Sequence, residues 1–446
     1  VRITLDVIRE CLEGTIPAGI ATCSLDGTPN ISIVSHVHFV DSMHVALSFQ
    51  FFNKTRENVL ANPHAVVQVI HPVTGARYSM DLEYLHTETQ GPLFESMKAK
   101  LAGIASHTGM SGVFRLQGSD IYCVRSIEKV PGQELPLPPV RRNLLSALRV
   151  CAERLTQCND LAKLLDGALT CLRDLFDIHH AMVLMLDGSG QRLYTVASRG
   201  YEQSGVGSEI AIGCGVIGVA AEQRTPIRIM HMTADYSYGR AIRESVEREG
   251  LGGRLETAIP LPGLPDSRSQ MAAPILAGGR FLGILYVESP EDKRFWYDDE
   301  DALVAVAAQL GMAINTLAQF SESPDETPPA AGQAMPAAGA PVVVRHYAAD
   351  DSVFIDDDYL IKGVAGAIFC KLLRDYTDGQ RTEFTNRELR LDPSIGLPDL
   401  SDNLEARLIL LERRLSERSA FLRIDKTGRG RFRLNVGRPF RLVDVG

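Results

Sequence analysis

Residues 321–341, SESPDETPPAAGQAMPAAGAP, are expected to set off a C-terminal unit of domain size. Proline, alanine and glycine replace any apolar period there, so the stretch has no face to bury and reads as a linker over 321–342. A weaker break lies at VPGQELPLPPVRR, residues 130–142, where four prolines separate two patterned regions. The chain is therefore expected to fold as three units, 1–135, 143–320 and 343–446, giving a multidomain α+β protein. Its 446 residues, 45% hydrophobic and 23% charged, supply enough apolar surface for cores of that size.

The apolar runs AMVLML and FLGILYV are far shorter than the roughly 20 residues that cross a bilayer. VRITLDVIRECLEG lacks the pattern of an export signal, so no membrane association and a cytoplasmic location are expected. Eight cysteines at 11, 23, 123, 151, 158, 171, 214 and 370 form no CxxC pair and are expected as reduced thiols. An iron cluster held by Cys151, Cys158 and Cys171 would need spacings unlike the standard ones. No Walker loop, catalytic triad or dinucleotide fingerprint is present, which argues against nucleotide-driven and hydrolytic chemistry.

In the first unit, GIATCSLDGTPNISIVSHVHFVDSMHVALSF reads as strands joined by turns, one of them Asp-Gly. A polar-started helix follows in NKTRENVLANP and stops at Asn62-Pro63. The order strand, SFQFFNKTRENVLANP, strand is similar to the FMN-binding split barrel of the pyridoxamine phosphate oxidase family. That resemblance implies FMN as cofactor, with Lys54 and Thr55 holding its phosphate and Ser48 and Gln50 lining the ring. A helix N-terminus with unpaired N–H groups suits such a phosphate. The chain departs from the family in NISIVSHVHFV, which has no Arg or Lys where further phosphate ligands would stand. Seven of the eleven histidines (36, 38, 44, 64, 71, 86 and 107) lie in this unit, and haem is the alternative cofactor, because split-barrel relatives include haem proteins.

The second unit opens on LLSALRVCAERLTQCNDLAKLLDGALTCLRDLFDI, read as one long amphipathic helix, and closes on the helix DDEDALVAVAAQLGMAINTLAQF. Strands lie between them. GCGVIGVAAEQRTPIRI and MAAPILAGGRFLGILYVES resemble a GAF domain, an antiparallel sheet with flanking helices that implies a sensor or dimerisation role. An inserted stretch, MHMTADYSYGRAIRESVEREGLGGRLE, is placed to cover the usual pocket. Tyr236, Tyr238, Arg240 and Arg243 are then candidate contacts for an anionic or aromatic small molecule. A solvated helix of mixed charge, RAIRESVERE, is the other reading of that insert.

The third unit reads as helix, helix, helix, hairpin. Leu404, Leu408, Leu411 and Leu415 make one apolar stripe, with Asn403, Arg407 and Arg414 on one flank, Arg413 on the far side, and Glu405 and Glu412 on the other flank. Between residues 423 and 441 seven basic residues face Asp425 alone, in a chain whose net charge is -9. LEARLILLERRL and TGRGRFRL resemble the third helix and hairpin of the OmpR-type winged-helix domain. The resemblance implies double-stranded DNA as partner, contacted by Asn403, Arg407, Arg413, Arg414, Lys426, Arg429, Arg431 and Arg433. Ile409 and Leu410 stand where that family has basic residues, and an exposed apolar pair there suits a protein contact instead.

Together these features read as a one-component transcriptional regulator, paired as a homodimer through the long GAF helix. A flavin-dependent oxidoreductase and a protein-binding scaffold are the alternatives.

Overall fold

The computed structural model describes residues 3–50, 53–107, 116–136, 143–230, 259–321, 340–395, 404–428 and 430–445. The fold is mixed α+β, built on curled antiparallel sheets.

The N-terminal seven-stranded sheet has the order β2-β1-β5-β6-β7-β4-β3. Its strands are β1 (Ala18–Cys23), β2 (Pro29–Val34), β3 (Val37–Phe39), β4 (His44–Phe49), β5 (His64–Ile70), β6 (Arg77–Glu88) and β7 (Gly118–Val130). All of its pairs are antiparallel, and β6 slips register against β7 at Asp81/Leu82 and Tyr84/His86. Such bulges increase local twist and let a long sheet curl. Alternating Val67, Val69, Met80 and Leu82 fill the inside, and a 3₁₀ turn, Leu5–Leu12, closes it with Leu5, Ile8 and Leu12. Helix α1 (Lys54–Ala61) starts where the Asn53 side chain accepts from the Arg56 N–H, and it stops before Pro63, which cannot continue a helix. Helix α2 (Pro92–His107) packs outside the sheet.

The second sheet has six strands in the order β10-β9-β8-β13-β12-β11. They are β8 (His180–Leu186), β9 (Arg192–Arg199), β10 (Glu209–Ala211), β11 (Ile227–Ile229), β12 (Ser269–Ala277) and β13 (Arg280–Ser289). Helices α3 (Leu144–Thr156), α4 (Leu161–Phe176) and α6 (Tyr297–Ser321) cover one face, and α5 (Gly215–Gln223) lies on the other. One expectation is corrected here. The stretch 144–178 is two helices, because Asp160 caps α4 by accepting from the Lys163 N–H and so starts a new axis. In α6, Tyr297–Ala318 is long and apolar enough to span a bilayer, which the shorter runs in the sequence did not show. Here Leu303, Val306, Leu310 and Ile314 of α6 sit in the core, and a Cβ on Gly311 would lie 2.2 Å from the Leu276 carbonyl oxygen, so only glycine allows this approach.

The C-terminal part opens on strands rather than a helix. β14 (Val342–Tyr347), β15 (Ser352–Ile355) and β16 (Asp358–Ile361) form a four-stranded sheet with β20 (Phe440–Val445), which returns from far along the chain to lie parallel to β14. Helices α7 (Gly363–Gly379), α8 (Asn386–Leu391) and α9 (Leu404–Arg418) follow, then the hairpin β18 (Leu422–Gly428) and β19 (Arg431–Val436), to which β17 (Glu383–Thr385) adds a third strand. Leu404, Leu408, Leu411 and Leu415 are all buried, as the stripe predicts. Ile409 and Leu410 are buried too, at 5% and 4% exposure, which corrects the expectation of an exposed pair. The core under α3, α4 and α6 continues without a break into this C-terminal part.

Candidate functional site

Four groups of polar side chains need an account. The first is the place where the sequence implied a flavin. Ser48 sits near the end of β4 and Gln50 just beyond it, and Ser119 faces Ser48 from β7. Among the described residues, Ser48 Oγ, Ser119 Oγ and Gln50 Oε1 are buried without a hydrogen-bond partner, while Gln50 Nε2 donates to Ser35 Oγ at 3.0 Å. Buried polar atoms of this kind are unusual and mark a place able to bind a neutral hydrogen-bonding group. The phosphate position is different. Lys54 Nζ is paired with Glu57 at 3.2 Å, Thr55 Oγ1 accepts from Asn30 Nδ2 at 2.9 Å, and Arg56 is ion-paired with Asp120 while lying 4.3 Å over the Phe49 ring. The ring position offers buried hydrogen-bonding atoms without partners among the described residues, but the phosphate position does not provide the charge that a dianion requires.

The second group joins the N-terminal sheet to the second one. Arg228 of β11 is fully buried, donating to Glu13 Oε2 at 2.7 Å, Glu300 Oε2 at 2.6 Å and the Phe295 carbonyl at 3.0 Å. Glu13 also accepts from the Tyr297 N–H at 2.9 Å. The Tyr297 ring lies 4.4 Å from each of the Arg9, Lys100 and Arg228 cations. Lys100 Nζ reaches Tyr297 Oη at 3.3 Å and His38 Nδ1 at 3.4 Å, and the His36 and His38 rings meet edge to face. Burial, with the Lys100 cation adding to it, pushes both histidines well below their ordinary range. Burial works against charge on Arg228 as well, yet Glu13 and Glu300 hold it firmly cationic. A buried, hydrogen-bonded ion network of this kind fixes the relative placement of the two sheets.

The third group lies on the face of the six-stranded sheet opposite α3, α4 and α6. His180, Glu288 and Gln270 stand in register across β8, β13 and β12. Glu288 accepts from the Leu264 N–H at 3.2 Å and from Tyr286 Oη at 3.5 Å, and burial raises its carboxyl group despite these donors. The rest of this face is apolar, with Met182, Leu184, Ile217, Ala272 and Ile284. A polar row beside an apolar floor is what an oriented small-molecule site requires. Sequence reasoning missed Glu288, although its phase with inward Ile284 and Tyr286 was the available signal. Tyr236, Tyr238, Arg240 and Arg243 lie outside the described residues.

The fourth group is the set expected at DNA. Its members divide. On the hairpin, Lys426 and Arg433 are exposed and Arg431 half-buried; Lys426 pairs with Glu405 at 3.1 Å and Arg433 with Glu383. On α9 the expected contacts Arg407, Arg413 and Arg414 are engaged within the chain, while Arg418 of the last turn is exposed. Arg407 lies 4.0 Å over the Tyr194 ring, Arg413 donates to the Val196 carbonyl at 3.0 Å and Asp166 at 2.8 Å, and Arg414 donates to the Leu360 carbonyl at 3.0 Å. Asn403 and Arg429 lie outside the described residues. Among the described residues no three His, Cys, Asp or Glu side chains gather as a metal site.

The fold and this third group define the class: a six-stranded antiparallel sheet with helices packed on one face and a ligand-type surface on the other. Residues 160–314 match the GAF domain family and are a GAF domain. Among solved structures, the chain is similar to the GAF domain of a phosphoenolpyruvate-protein phosphotransferase from Acinetobacter, at 20% identity over 41% of this chain and 97% of that one, with a TM-score of 0.31. An FMN-binding protein from Syntrophomonas wolfei is matched at 17% identity over 29% of this chain and 92% of that one, TM-score 0.24. HupZ of Group A Streptococcus is matched at 21% identity over 28% and 95%, TM-score 0.23. No curated protein matches the chain significantly.

Proposed function

We propose that this chain is a cytoplasmic, signal-responsive transcriptional regulator. The GAF domain and the N-terminal sheet, as a split barrel, receive a small molecule, and the C-terminal part, as a winged-helix unit, binds double-stranded DNA. The observation that carries this reading is the hairpin: exposed Arg423 and Arg433 share its outer face with half-buried Arg431 and the single acid Asp425, and exposed Lys426 stands on the α9 side, in a chain that is acidic as a whole. Such a local excess of cations suits a phosphate backbone. Exposed Leu145 on α3 and Val304 and Met312 on α6 support pairing of GAF helices into a homodimer. The scaffold reading loses its main support, since Ile409 and Leu410 are already covered within the chain. A flavin enzyme is less well supported, because exposed Lys54, itself beside Glu57, faces the phosphate position without the further Arg or Lys that a dianion calls for.

The test is selection of fragments from sheared genomic DNA by the full chain carrying Asp166→Arg and Ser204→Glu, which set like charges between the GAF domain and α9. Enrichment of discrete fragments, abolished by Lys426→Ala, Arg431→Ala and Arg433→Ala together, is the expected result. Equal recovery of all fragments by both proteins would refute the reading.

A further inference from the structure

Helix α9 is buried on two faces. Its leucine stripe faces its own unit, and a second stripe, Arg407, Leu410, Arg413, Arg414 and Glu417, is displaced from it by roughly a third of a turn. That second stripe is occupied mainly by the GAF domain. Arg407 lies over Tyr194 at 4.0 Å, and Arg413 bonds to the Val196 carbonyl and Asp166. Glu417 accepts from Ser204 Oγ, and the end of Leu410 lies 3.5 Å from where a Cβ on Gly207 would stand. Nearby, Lys362 pairs with Glu209 at 3.1 Å. Along most of its length α9 leaves toward solvent an acidic flank, exposed Glu412 and half-buried Glu405, with Arg418 of the last turn its one exposed cation. Nucleic acid approaching this helix meets carboxylates, with the arginines behind the GAF surface.

We infer that the GAF domain is an intramolecular inhibitor of the output unit, holding α9 through Tyr194, Val196, Asp166 and Ser204 until a ligand releases it. This rests on the reading of the C-terminal part as the DNA-binding unit. The release lever is β9. Tyr194 and Val196 point to the side that holds α9, while Leu193 between these faces belongs to the opposite, ligand-type surface with Met182, Leu184 and Ile284. One strand thus serves both surfaces, and a ligand that shifts Leu193 must also shift the Tyr194 ring under Arg407.

The inference is tested on the full chain with Asp166→Arg and Ser204→Glu combined, which set like charges against Arg413 and Glu417 without touching α9. Leu410→Glu serves as a second, harsher opening variant. Two readouts are taken: radius of gyration by small-angle X-ray scattering, and affinity for a fluorescent random-sequence duplex at low salt. Expansion of the chain with DNA affinity raised about tenfold or more in the charge-reversed variant is expected. Neither variant moving either readout overturns the inference, as does expansion with equal DNA affinity in opened and parent chains. Absence of binding in every protein, opened ones included, overturns the DNA reading itself, so the two failures are told apart.

Discussion

Lys100 is an ammonium group held where charge is costly. Burial and the Arg228 cation push its ammonium group down to about 7, against the pull of Glu300 and Glu13. The unfolded chain keeps that proton up to its ordinary 10.5, so between these values the unfolded state binds more protons and stability rises with pH. Below about 7 the full cost of the buried charge is present. Lys100→Met is expected to stabilise the protein near pH 6 by on the order of 1–3 kcal/mol and to flatten the rise in melting temperature between pH 7 and 10. A thermal melt series across that range reads both effects, and an unchanged slope would contradict them. Arg228 has the opposite value. Arg228→Met leaves Glu13 buried without its cation and should cost about 3–5 kcal/mol in urea unfolding. Adding Glu13→Gln should recover part of that loss.

At the level of elements, local signals were readable and non-local ones were not. The stop of α1 before Pro63 and the glycine-rich entry to α5 are written in adjacent residues. The break between α3 and α4 had a local signal in Asp160, outweighed by the continuous apolar period around it. Nothing local announces β20 pairing with β14, because parallel strands join across the intervening chain. The burial of Ile409 and Leu410 depends on neighbours far away in sequence, and so does the link between Glu13 and Arg228, 215 residues apart. The candidate site follows the same rule: Glu288 could be found from strand phase, whereas the seat of Arg413 on Asp166 could not. If α9 owes its position to the GAF domain, Leu410→Ala should destabilise the C-terminal part by about 2 kcal/mol or more. Calorimetry would show it melting earlier, and an unshifted transition would contradict the shared core.

Across the whole molecule, the N-terminal sheet, the GAF domain and the C-terminal part are tied by two seams of different character. The N-terminal seam is a buried ion network, with the Glu13 and Arg228 side chains fully buried. The C-terminal seam combines a shared apolar core, Tyr194 and Leu410 among it, with charged contacts at its rim that are partly solvated, Asp166 being 56% exposed, and these rim contacts are the ones weak enough to exchange. A regulator needs this asymmetry: one joint that transmits and one that opens. The direct test is the salt dependence of duplex binding by the chain opened with Asp166→Arg and Ser204→Glu, with and without Lys426→Ala, Arg431→Ala and Arg433→Ala. The account predicts that the slope of log affinity against log salt falls by roughly 2 to 3 when these cations are removed. Identical slopes and affinities would contradict it.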